Sequence, residues 1–167
     1  MTPDQISAET NRFMSIFGST FLAWQAIENR LFHVYMISIG AKPDSPAGAA
    51  YWAVVSFKTR LLMLDASLAI GLKSHALKSD WDKLSAAINK RAERRNELAH
   101  FSLGIELRRD AAHHIIRDSL VKANPRTRKG KKVTYDLNHL RMFHLSFKKL
   151  DARIAVFEAK LYSEFRK

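Results

Sequence analysis

The chain has no cysteine. Disulfides, thiolate metal sites and cysteine nucleophiles are excluded together, and a reducing cytoplasm is compatible with that. It also lacks any apolar run long enough to span a bilayer. The most apolar stretch, Leu61 to Leu72, is broken by Asp65, and a bilayer needs about 20 such residues. Met1-Thr2-Pro3-Asp4-Gln5 has neither the basic start nor the apolar core of a signal peptide, so the expectation is a cytoplasmic chain with no membrane partner. There is no glycine-rich phosphate loop and no serine-hydrolase elbow, which argues against nucleotide-fold and acyl-transfer chemistry. His139 and His144 are not at the i, i+4 spacing that places two ligands on one helical face, and no His-Glu-x-x-His occurs. Neither a metal nor a cofactor is expected.

Acid is scarce as well. Sixteen Asp and Glu face 28 Lys and Arg, a formal net charge of +12. Such an excess raises affinity for polyanions in a salt-dependent way. The 167 residues are 47% hydrophobic and 26% charged, values of a globular chain rather than a disordered one. That length fits one domain, 1–167, with a real core.

Apolar residues recur at three- and four-residue steps in four stretches. The first runs from about Asp4 to Ile39 and includes Phe13, Thr20, Trp24, Ile27, Leu31 and Val34; Gly40 to Asp44 ends it. Ser45 reads as an N-cap with Pro46 at the first helical position, opening a second helix to about Leu72. Ser79-Asp80-Trp81-Asp82 reads as the start of a third, running to about Phe101. The fourth begins near Asp136 and carries Leu140, Phe143, Phe147, Leu150, Ile154, Phe157 and Leu161 on one face. Between the last two lie short candidate strands at Ile105-Glu106-Leu107 and Ile115-Ile116, then a basic loop from Lys122 to Lys132. The expected fold is all-α, a four- to five-helix up-and-down bundle with an irregular or short β excursion before the last long helix. Trp24, Trp52 and Trp81 are expected in the core or at an interface.

An Arg followed five positions later by a His occurs three times, at Arg95/His100, Arg108/His113 and Arg109/His114. Spacing cannot choose among them; position can. Arg95 falls within the apolar stripe of the third helix set by Leu84, Ile88, Ala92, Leu98 and Ala99, with Asn96 and His100 at its shoulder. A permanent charge on a packing face needs an anion or hydrogen-bonding partner. Two readings stand. One gives Arg95 a ligand. The other gives it a buried ion pair with Glu28 or Asp65, and makes His100 a favourable cation at the helix C-terminus.

Arg95-Asn96-Glu97-Leu98-Ala99-His100, late in a helix of such a bundle, resembles the Arg-x(4–6)-His motif of the HEPN superfamily, in which a polar residue tends to follow the Arg. Phe101 stands where many members have Gly. The resemblance implies a metal-independent endoribonuclease in which the substrate's own 2′-hydroxyl attacks the phosphate. In it His100 serves as general base or acid, Arg95 grips the scissile phosphate, and Asn96 orients one of them. Residues five apart on a helix point about 140° from each other. Two copies facing across a two-fold axis through the third helix would pool their pairs, so a homodimer is expected. Arg91 and Arg94 on the same helix, and Lys129, Lys131 and Lys132 in the basic loop, are candidate RNA-backbone contacts. A toxin–antitoxin or phage-defence setting, with an antitoxin or other regulatory protein as partner, is what the resemblance implies. It also leaves open a non-catalytic module that binds RNA, nucleotide or a protein partner, including a nucleotide-binding helper to a nucleotidyltransferase.

Overall fold

A computed structural model describes residues 3–99, 103–109, 115–122 and 134–165. Among them the expected all-α architecture is present: helices α1 (Pro3–Ser38), α2 (Pro46–Ala53), α3 (Phe57–Gly71), α4 (His75–Ala99) and α5 (Leu137–Phe165), with strands β1 (Leu103–Arg109), β2 (Ile115–Lys122) and β3 (Thr134–Tyr135) inserted before the last helix. No helix among the described residues is long and apolar enough to cross a membrane.

The helix ends follow local chemistry. Gly40 takes a left-handed φ of 65° after α1, and the Ala41 N–H reaches back to the Met36 carbonyl at 3.0 Å, the closure a glycine just past a helix permits. Ser45 caps α2, its hydroxyl accepting from Gly48 N, with Pro46 in the first turn. Two expectations are corrected here. The apolar stripe from Val54 through Phe57 to Leu61 suggested one helix to Leu72. Instead the chain is extended from Val54 to Ser56, and Ser56 starts α3 by accepting from Thr59 N. The acidic turn at Ser79-Asp80 is also not a start. Ser74 Oγ accepts from Leu77 N at 3.3 Å, and α4 begins a turn and more earlier.

The chain divides into two compact units, each built from separated segments. The first comprises residues 1–23 and 93–146. Its core is Phe13, Leu98, Tyr135 and Leu140, with Ile16, Phe17, Phe21, Leu137 and Phe143 packed against it. β1 pairs antiparallel with β2 in the register Leu103↔Lys122 through Arg108↔Arg117, slipping after Arg108. β3 adds to the other edge of β2, Leu120 opposite Tyr135. The candidate strands are thus present and longer than expected.

The second unit comprises residues 24–92 and 147–167. Trp24, Ile27, Leu31, Leu64, Leu68, Ile88, Leu150, Ile154 and Leu161 are nearly or fully buried in the fold. Trp24 meets Phe57 and Phe147 edge-on, with centroids 5.1 and 5.3 Å away. Trp81 is buried too, whereas Trp52 is 44% exposed, so of the two places expected for it, core or interface, it does not take the first. Trp52 instead covers the Arg60 guanidinium, 5.0 Å from its ring centre. Arg60 is buried and donates to Glu28 at 2.8 Å.

Two stability predictions follow from this packing. A Cβ on Gly48 would sit 2.1 Å from the Pro43 carbonyl oxygen, so Gly48→Ala is expected to cost about 1–3 kcal/mol, as overpacking does, seen as a lower urea midpoint. Removing one partner of a buried pair leaves the other charge stranded, so Arg60→Ala should cost about 3–5 kcal/mol. An Arg60→Met, Glu28→Gln double variant, with no stranded charge, should recover much of that loss. A double variant no more stable than Arg60→Ala alone would refute the ion-pair account.

Candidate functional site

The last two turns of α4 belong to the first unit. Leu98, 1% exposed, anchors them in the core beside Tyr135 and Leu140. Arg95, one turn earlier on the same face as Leu98, is half-buried. Its Nη1 donates to Asn96 Oδ1 at 3.2 Å, and Asn96 itself is exposed. The adjacent pair therefore makes a local contact that fixes one arm of the guanidinium. Ala99, expected to continue the packing stripe, is exposed instead.

Beside them is a second polar group. Glu97 Oε2 accepts from Arg94 Nη1 at 2.9 Å and from the Tyr135 hydroxyl at 2.7 Å. Burial, and then the hydroxyl's bond to the Glu97 carboxylate, push the Tyr135 phenol up to about 12. Its own hydrogen bond to the Glu97 carboxylate raises Arg94 above its ordinary value. The end of α4 is thereby tied through one carboxylate to β3 and the start of α5. Asp136 caps that helix, its Oδ1 accepting from His139 N at 2.9 Å, with the His139 ring Nδ1 2.8 Å from the same oxygen. That backbone N–H is the main reason the Asp136 carboxyl lies below its ordinary range. His144 is committed elsewhere: its Nδ1 donates to the Ser19 carbonyl at 3.2 Å.

Of the residues singled out from sequence, Arg95, Asn96 and Arg94 come together at the end of α4. Arg94, offered as an RNA contact, is engaged with Glu97. Arg91 lies in the second unit, where its Nη1 donates to the Ala87 carbonyl at 3.1 Å. His100, Phe101, Lys129, Lys131 and Lys132 lie outside the described residues. The carboxylates considered as alternative partners of Arg95 have their own work: Glu28 accepts from Arg60 and Trp24, and Asp65 from Trp81 and Ser85. Glu97 and Tyr135 were not foreseen. The Arg94–Glu97 spacing of three is a legible helix pair, but nothing local announces Tyr135.

Compared with protein-family models, curated proteins and solved structures, the chain matches none of them.

The Tyr135 contact carries a pH signature. A phenol whose folded pKa is raised from about 10 to about 12 contributes stability that is complete below pH 10 and lost as pH climbs toward 12. Tyr135→Phe is expected to cost about 1–2 kcal/mol at neutral pH, since one bond to a partly exposed carboxylate is lost. It should also flatten the fall in melting temperature between pH 10 and 12. An unchanged alkaline profile would show that the phenol titrates normally.

Proposed function

We propose that this protein is a metal-independent endoribonuclease of HEPN type, with the segment Arg95 to His100 as its site. The observation that carries the reading is the Arg95 Nη1 to Asn96 Oδ1 contact at the half-open end of α4. A planar fork of donors, braced by its neighbour and reached by solvent, suits two phosphate oxygens. In the proposed reaction His100 takes the proton of the RNA 2′-hydroxyl, whose oxygen attacks the adjacent phosphorus. The bond from phosphorus to the 5′-oxygen breaks, and that oxygen takes a proton from solvent as it leaves. Arg95 balances the charge gathering on the phosphoryl oxygens. The products are a 2′,3′-cyclic phosphate and a 5′-hydroxyl, and DNA is spared because it has no 2′-hydroxyl.

Residues five apart on an ideal helix point about 140° from each other, so the active form in this reading is a homodimer that joins two α4 ends about a two-fold axis. RNA is the substrate. A toxin–antitoxin or defence role in the cytoplasm, with a neutralising partner protein, belongs to the same proposal, and the charge of +12 supports polyanion binding.

The test is cleavage of a mixed RNA by purified protein, with and without EDTA. Wild-type activity should be indifferent to the chelator. Arg95→Ala and His100→Ala should each lower it by 100-fold or more, on the order of the effect of losing a general base or an oxyanion donor. Cleavage surviving in both variants, or abolished by EDTA, would overturn the proposal.

A further inference from the structure

Within the second unit, the facing sides of α4 and α5 border an open cleft of about 390 Å³, lined by Asp80, Lys83 and Leu84 from α4 and by Arg153, Val156 and Lys160 from α5. The two helices run antiparallel here. Lys160 Nζ donates to Asp80 Oδ2 at 2.8 Å at one end, while toward the other the charge of Arg153 acts on Arg91. Lys83, Arg153 and Lys160 are exposed. Lys83 and Arg91 are roughly 12 Å apart along the α4 axis at 1.5 Å per residue.

The lining is unbalanced. Asp80 is its one carboxylate and is already held by Lys160. Lys83 and Arg153 add two cations to that lining, and Arg91 lies further along α4. Burial first, then the like charge of Arg153, lower Arg91 below its ordinary value. Forked guanidinium donors and a lysine ammonium are the groups that bind phosphate. The floor is apolar: Leu84 and Phe157 are buried, and Val156 is 59% exposed. The aromatic lining residue, Phe157, is 3% exposed and offers little face on which a base could stack. The cleft is open to solvent, so a chain of phosphates can enter it.

We propose that the α4–α5 cleft holds the phosphate backbone of a nucleic acid, gripping it by charge without reading bases or the 2′-hydroxyl. This does not rest on the ribonuclease reading. A protein that binds here and never cuts would refute that reading alone.

Binding of labelled RNA and DNA single strands of one sequence to the full chain, across a range of salt, tests it. RNA and DNA should bind within about threefold of each other. Replacing two phosphate contacts should flatten the log–log salt slope by about 1.4, at about 0.7 per phosphate for single strands. Lys83→Gln with Arg153→Gln should therefore give that flattening and at least tenfold weaker binding. Asp80→Asn releases Lys160 and should tighten binding by two- to fivefold, an outcome that damage to the fold does not produce. An unchanged slope in the double variant, weaker binding in Asp80→Asn, or strong preference for RNA over DNA would each overturn the proposal. So would full displacement of the oligonucleotide by stoichiometric AMP or pyrophosphate, which would make the cleft a small-phosphate site.

Discussion

Arg60 cannot leave the interior of the second unit, and the surrounding elements are arranged to hold it. Its guanidinium meets Glu28 of α1 at 2.8 Å and lies beneath Tyr51 and Trp52 of α2, with ring centres 5.7 and 5.0 Å away. Glu28 in turn accepts from the Trp24 indole, and Trp24 packs on Phe57 and Phe147. Three helices thus converge on one charge. The arrangement needs α2 and α3 to be separate, because Tyr51 and Trp52 must cover a residue only two turns further along the chain. The extended residues Val54 to Ser56 allow the chain to fold back over it. Burial of Tyr51 in the same cluster pushes its phenol up to about 12, a sign of how little water reaches it.

Where sequence reading succeeded and failed follows from which forces are local. The stripes of α1 and α5 were legible because a helix that buries one face repeats its apolar residues at 3.6. Phe13, Trp24, Leu140, Phe147, Leu150, Ile154 and Leu161 are indeed buried. The same rule concealed the break between α2 and α3, since Val54, Phe57 and Leu61 keep helical spacing across residues that are extended. Ser79-Asp80 imitated a helix start that Ser74 in fact supplies. Trp52, expected in the core or at an interface, lies over the Arg60 cation, a contact that no local spacing announces.

At the candidate site the division is similar. Arg95 stood out because it interrupts an apolar stripe, and its half-burial matches that position. The Asn96 contact is between neighbours and needs no tertiary fold. Tyr135 was illegible: it reaches Glu97 only after the chain has passed through the β excursion and returned as β3. Asp136 and His139 are spaced as a capping box with histidine in the usual place of glutamate, which a stricter reading of the α5 start would have found.

The distribution of acid explains why so much positive charge is left at the surface. Glu28 is committed to Arg60, Asp151 and Glu158 to Arg30, Glu97 to Arg94, and Asp80 to Lys160. These pairs join one helix to another or fasten a helix end, so the scarce carboxylates serve the fold first. A chain with 28 basic and 16 acidic side chains that uses its acids this way must display the remainder. Among the described residues, part of the surface charge is gathered where α4 and α5 face each other, at Lys83 and Arg153. Exposed pairs contribute little stability, so crowding like charges there brings the fold no gain. A polyanion supplied from solution would relieve that repulsion and release its counterions on binding.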